Sequence, residues 1–163
     1  KFYPEVTGKE YNLQHYTQFL AEQIDDISKL MKRPFPKKVT FHDPCYLGRH
    51  NGEYEAPRTL LNAVPEMEFV EMYRCREQGY CCGGGGGGMW LDSLVADHTT
   101  ERLSENRVKE AVEVDAEVLA VCCPYEVSRF EDAMKSTNND GKLEVMDIIE
   151  ILDYCMGNGD AVT

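Results

Sequence analysis

Val118-Leu119-Ala120-Val121-Cys122-Cys123-Pro124 is the stretch that decides the fold. Four apolar residues form a compact strand that runs straight into two cysteines, and Pro124 suits the first turn of a following helix, where its missing N–H costs nothing. On the amino-terminal side, a helical stretch is expected from Met89 to about Val114. On the other side the turn Asn138-Asn139-Asp140-Gly141 leads to a strand from Leu143 to Met146, and a closing helix from Asp147 to about Met156. Further upstream, Lys38-Val39-Thr40-Phe41-His42 reads as a strand broken by Asp43-Pro44. A helix from about Ala56 to Ala63 and an alternating strand from Glu68 to Tyr73 follow it. Strands thus alternate with helices. That rhythm predicts an α/β domain with an open, mostly parallel sheet of about four strands flanked by helices and joined by right-handed crossovers. Leu13, Tyr16, Phe19, Leu20, Ile24, Ile27, Leu30 and Met31 recur at helical spacing before Pro34 and Pro36. Residues 1–37 are therefore expected to be an amphipathic helix and linker, ahead of a cysteine-rich unit over 38–163.

The cysteines fall at the ends of these strands. Cys45 follows the first, Cys81 and Cys82 the second and Cys123 the third. In a parallel sheet those positions share one edge, outside the carboxyl ends of the strands, where open α/β folds place their ligands. Thiolates gathered there suit a soft metal or an iron–sulfur cluster. Seven cysteines, two pairs of them adjacent, make an odd and awkward set for a disulfide framework, and no Cys-x-x-Cys is present. A reducing compartment follows. Gly83 to Gly88 lie directly after Cys81-Cys82, and glycines let backbone N–H groups approach an anionic centre closely. A helix starting near Met89 would add its positive end. The competing reading is a flexible low-complexity loop. Six glycines match a dinucleotide fingerprint trivially, and Met89-Trp90 stands where a phosphate loop needs Lys followed by Ser or Thr, so neither nucleotide reading holds.

Composition bounds the rest. At 163 residues and 18.6 kDa the chain is about one domain, able to bury a core without staples. A formal charge of -12 and a pI near 4.7 disfavour nucleic-acid binding. Residues 83–163 carry most of that excess, which reads as a solvated face or a surface that steers a basic partner. No apolar run approaches a membrane span, and no signal segment is seen. The start without Met suggests a fragment of something longer.

His42-Asp43-Pro44-Cys45-Tyr46-Leu47-Gly48-Arg49-His50, then Cys81-Cys82-Gly83, then Cys123-Pro124-Tyr125 resemble the cysteine-rich CCG domain of the B- and D-type heterodisulfide reductase proteins and related iron–sulfur oxidoreductases. The resemblance covers about residues 38–155 and implies the C-terminal fragment of a cytoplasmic protein whose parent is membrane-associated or soluble. It implies a noncubane 4Fe-4S cluster bound by five cysteines, or in some members an ordinary cluster or zinc. Cys45, Cys81, Cys82 and Cys123 match four ligands, with Gly83 and Gly84 beside them. The family's closing Cys-Pro-x-Cys reads Cys123-Pro124-Tyr125-Glu126 here, so a carboxylate stands at the fifth position. Either Glu126 ligates through oxygen, or Cys122 replaces it, or the centre has four ligands. The implied function is an electron-transfer domain between a flavoprotein or ferredoxin-type partner and other subunits of a larger oxidoreductase. The alternatives are a zinc-binding or metal-free docking domain, and complete heterodisulfide cleavage.

Other residues read more plainly. His42 is expected to be satisfied by a loop carbonyl, the alternatives being a hydrogen bond to a sulfur or a metal position. Arg49 and Arg58 either counter cluster charge or lie on the surface. Cys75 reads as a free or partly buried thiol, and Cys155 shares a helix face with Ile148, Ile151 and Leu152 as packing.

Overall fold

The computed structural model describes residues 3–91 and 97–158. Four strands, β1 (Lys38–Phe41), β2 (Glu68–Phe69), β3 (Val118–Val121) and β4 (Glu144–Asp147), form one sheet in the order β2-β1-β3-β4. Every pair is parallel, with Val39 opposite both Phe69 and Val118, and Val121 opposite Asp147. Parallel strands need crossovers, and among the described residues seven α-helices accompany the sheet. They are α1 (Tyr3–Thr7), α2 (Tyr16–Glu22), α3 (Ile24–Leu30), α4 (Glu55–Asn62), α5 (Leu103–Glu113), α6 (Glu126–Ser136) and α7 (Ile148–Met156).

The side-chain period of two splits the core between the sheet's faces. Val39, Phe41, Val118 and Ala120 pack with Leu60 and Leu61 of α4, Ile148, Ile151 and Cys155 of α7, and Ile27, Met31 and Phe35 of the amino-terminal segment. Leu119 and Val121 pack on the other face, with Val108 and Ala111 of α5 and Phe130 and Ala133 of α6. Each fully buried Leu, Val or Phe contributes roughly 1.5–3 kcal/mol of transfer free energy. The same alternation turns Thr40 and His42 away from Phe41, toward α5 and α6. No helix among the described residues is long and apolar enough to cross a membrane.

Several elements depart from the sequence pattern. The helix expected over residues 13–31 is two helices, α2 and α3, broken at Gln23, whose φ of -104° and ψ of 16° leave the helical region. Tyr16 of α2 donates to Asp147 Oδ1 at 2.6 Å, and the same oxygen caps the Ile149 N–H of α7 at 2.9 Å, which fixes the amino-terminal segment on the domain. The long helix expected from Met89 begins only at Leu103, as α5; residues 92–96 of that expectation lie outside the described residues. Arg102 and Glu105 explain the start, because Glu105 accepts both the backbone N–H and the Nε–H of Arg102, each at 3.0 Å. β2 is two residues rather than six: Val70 N–H still bonds Val39 O at 2.9 Å, and then Met72 turns into the core beneath α5. α6 begins at Glu126, and Pro124 lies in the turn before it, where Glu126 N–H bonds Cys123 O at 3.0 Å.

Candidate metal centre

Because all four strands run the same way, the residues after β1, β2 and β3 meet at one sheet edge. His42 N–H bonds Ala120 O at 3.0 Å, which extends the ladder one residue past β1 and fixes where the following loop leaves. Asp43 comes next and is buried, gripped by Arg58 of α4. Two residues on, Cys45 meets the Cys81-Cys82 pair.

The three thiols are linked. Cys81 accepts the Gly83 N–H at 3.3 Å and Cys82 the Gly84 N–H at 3.4 Å, and the Cys45 and Cys82 thiols lie close enough to Cys81 to bear on its ionisation. These neighbours, Cys82 foremost, with Arg49 nearby, pull the Cys81 thiol well below the usual cysteine range. The adjoining Cys81 thiol and burial push the Cys82 thiol up. Gly83 holds φ of +74°, the left-handed region in which a side chain is strained, and this turn aims its N–H and that of Gly84 back at the sulfurs. Gly88 closes the glycine loop, since a Cβ there would lie 2.7 Å from Gly83 O. Met89 to Leu91 are not helical, and the donors that reach the sulfurs among the described residues are the Gly83 and Gly84 amides.

Cys123 is half-exposed and lines a cleft of about 520 Å³ together with Cys45, Cys122, His15 and Tyr46. Burial and the neighbouring Glu126 push its thiol up. Cys122, one residue past Val121, falls on the α4 and α7 face and packs in that core, 3% exposed, whereas Cys82 belongs to the α5 and α6 cluster. A cleft of about 570 Å³ at the opposite edge, lined by Lys37, Glu117 and Glu144, contains no cysteine.

Behind the thiols lies a buried polar row. His42 stacks edge-on against Phe130, with ring centroids 4.8 Å apart. Arg107 of α5 donates Nε–H to His42 Nδ1 at 3.3 Å and Nη1–H to Arg74 O at 2.7 Å. On its other side, His42 Nε2 is 3.4 Å from Glu126 Oε1. Burial and the Arg107 charge hold His42 neutral, and burial raises the Glu126 carboxyl well above the usual carboxylate range. Glu126 Oε2 is buried without a partner, and His42, Cys82 and Glu126 bring three potential ligand atoms within 4.8 Å of one another.

Two sequence expectations change here. His42 meets Arg107 and Glu126 rather than a loop carbonyl. Arg58 neither faces the thiols nor lies on the surface: it is 3% exposed and held by Asp43 and Glu71. Arg49 stays near the site, donating to Gly79 O at 2.6 Å. Cys75 is half-buried and free, and Cys155 is wholly buried in the core. Arg107 was not anticipated. Its signal was a charge on the face of α5 that also carries Ser104, Val108 and Ala111, all buried.

The CCG model, described as a cysteine-rich domain, matches residues 39–125. The chain belongs to this CCG family. It is 39% identical over 160 residues to the D subunit of the dihydromethanophenazine:CoB--CoM heterodisulfide reductase of Methanosarcina barkeri, covering 95% of this chain and 37% of that protein. Identity is 37% over 150 residues to the probable iron-sulfur-binding oxidoreductase FadF of Bacillus subtilis, covering 92% of this chain and 21% of the relative. The B subunit of the fumarate reductase (CoM/CoB) of Methanothermobacter marburgensis is 35% identical over 153 residues, 94% of this chain and 29% of that one. This CCG chain thus spans between about a fifth and two fifths of these relatives. They are named as iron–sulfur oxidoreductases and as subunits of larger complexes.

Proposed function

We propose that this CCG chain is the iron–sulfur electron-transfer domain of a heterodisulfide-reductase-like oxidoreductase, holding one 4Fe-4S cluster through Cys45, Cys81, Cys82, Cys123 and Glu126. The observation that carries the reading is the linked trio of Cys45, Cys81 and Cys82 with the Gly83 and Gly84 amides on its sulfurs. The donor set fits such a group: soft thiolates at three stations, and one buried carboxylate oxygen, Glu126 Oε2, that nothing else satisfies. When bound, the cluster supplies reversible one-electron storage.

The chain's own residues then have definite tasks. Gly83 and Gly84 donate hydrogen bonds to thiolate sulfur, spreading its negative charge and favouring the reduced state. Arg58 and Asp43 fix the loop that carries Cys45. The half-exposed Cys45 and Cys123 lie beside the cleft, the shortest way out for an electron, toward a flavoprotein or ferredoxin-type partner or another subunit of the parent oxidoreductase. In this reading residues 38–163 are the cluster-binding unit, residues 1–37 brace it, and the parent works in the cytoplasm or on a membrane's cytoplasmic face.

A redox titration of anaerobically prepared protein, followed by electron paramagnetic resonance, tests this. One reversible iron–sulfur signal is expected. A chain carrying one zinc and taking up no electrons would favour a structural docking domain instead.

A further inference from the structure

We propose that Arg129 is the buried countercharge of the cluster: its guanidinium, seated on the Cys82–Gly83 peptide with no carboxylate to pair it, stabilises the negative charge that thiolate ligands bring to the centre and holds its reduction potential up. The inference rests on the reading of the cysteine edge as a cluster site and concerns a residue outside the ligand set.

Arg129 lies on α6 one turn after Glu126, on the face that also buries Phe130 and Ala133. Only 3% of it is exposed. Its Nε–H donates to the Cys82 carbonyl at 3.4 Å, the long end of hydrogen bonding, and Nη2 sits over the next residue, 3.6 Å from where a Cβ on Gly83 would stand. The guanidinium therefore lies against the turn whose amides bond the Cys81 and Cys82 sulfurs.

Charge balance sets this arginine apart. Taking an uncompensated cation out of water is expensive, so buried arginines are ordinarily paired. Arg58 meets Asp43 and Glu71, and Arg107 meets Glu110. Among the described residues no carboxylate forms an ion pair with Arg129, whose one hydrogen bond there is to the uncharged Cys82 carbonyl. Glu126 is a turn away on the same helix, yet its Oε1 lies beside His42 Nε2 and its Oε2 has no partner. The other arginine near the thiols, Arg49, is exposed, where water and salt screen its charge.

A thiolate-bound cluster supplies the missing counter-ion. A 4Fe-4S core held by thiolates is a net anion, and reduction by one electron makes it more negative. In a low-dielectric interior a permanent cation behind the Cys82–Gly83 turn favours that more negative state. Without the cluster, the same cation is a burden on the fold.

Three substitutions separate charge from mere support of the Cys82 carbonyl. Arg129→Lys keeps the charge and loses the fork, Arg129→Gln keeps an N–H donor and loses the charge, and Arg129→Met keeps bulk and loses both. In loaded protein, titrated anaerobically with dithionite through mediators and followed by electron paramagnetic resonance, Arg129→Lys should stay near the wild-type midpoint potential. Arg129→Gln and Arg129→Met should both lower it and lose iron to a chelator about 10–100-fold faster. In metal-free protein the urea midpoint of Arg129→Met should equal or exceed that of wild type, because a buried unpaired charge has been removed. A potential in Arg129→Gln equal to wild type, or no lower than that of Arg129→Lys, overturns the countercharge and leaves the cluster reading standing; so does an Arg129→Met protein destabilised alike with and without metal. A wild-type chain without iron and sulfide defeats the cluster reading, and the countercharge with it. Should the metal-free form or Arg129→Met not fold, the potentials of Arg129→Lys and Arg129→Gln decide.

Discussion

Arg58 closes a bidentate ion pair on Asp43, with Nη1 to Oδ1 at 2.7 Å and Nη2 to Oδ2 at 2.9 Å. The same guanidinium reaches Glu71 at 2.6 and 3.0 Å, and Asp43 Oδ2 also accepts the Arg76 N–H at 2.7 Å. One arginine on α4 therefore ties the loop ending in Cys45 to the segment leading to Cys81. The fork geometry matters here, because lysine offers a point charge and cannot bridge two carboxylates this way.

Removing that arginine leaves Asp43 buried and unpaired. Arg58→Ala should lower stability by about 3–5 kcal/mol in urea unfolding, and Arg58→Lys should recover only part of it. Both should release iron faster than wild type, since the Cys45 loop loses its anchor. An Arg58→Ala protein within about 1 kcal/mol of wild type would show the pair to be incidental.

The cysteines should differ in reactivity once the metal is removed. Cys81 is held below the usual thiol range by the Cys45 and Cys82 thiols and the Gly83 N–H, so its reactive thiolate persists as pH falls. Cys45, Cys75 and Cys123 are pushed up by burial and become thiolates only at higher pH. Iodoacetamide at about pH 6.5, two units below the ordinary thiol value, should label Cys81 first, as peptide mapping will show. Preferential labelling of Cys123 would contradict the assigned hydrogen bonds.

Closure of the glycine loop depends on Gly88 more than on its neighbours. In Gly88→Ala the new Cβ would meet Gly83 O at 2.7 Å, whereas at Gly85 no atom comes within 4 Å. Gly88→Ala should cost about 1–3 kcal/mol and weaken iron retention, with Gly85→Ala close to wild type in both. Equal behaviour of the two variants would remove the loop's shape from the account.

Where the residues state their own environment, the sequence was legible. Val118 to Val121 had to be a strand, and strands alternating with helices had to place Cys45, Cys81, Cys82 and Cys123 at one edge. What was not legible came from partners distant in sequence. Arg107 reads as an ordinary helix charge until α5 is laid over β1, and His42 gains its meaning only from residues 65 and 84 positions away, Arg107 and Glu126. Over residues 97–102 the expected helix is not formed, because apolar spacing does not show where a helix starts; the contact of Arg102 with Glu105 could. The break at Gln23 has no sequence signal that we can identify.

The ligand set makes a graded prediction. Cys75→Ser and Cys155→Ala should keep wild-type iron, because neither thiol joins the linked trio, although Cys155→Ala should cost about 1–2 kcal/mol by opening a cavity in the core. Glu126→Gln should lose iron more readily. Glu126→Cys should retain it better, especially in acid, where a carboxylate ligand is protonated away. Iron per chain across a pH series separates these outcomes, and unchanged iron in both Glu126 variants would leave a four-cysteine centre.

The most direct test of the central claim is a count of iron, acid-labile sulfide and zinc per chain in protein prepared without oxygen. Bound iron and sulfide in equal amounts, close to four of each, with negligible zinc, is the predicted result for one four-iron cluster. Stoichiometric zinc with no sulfide, in folded protein, would contradict it.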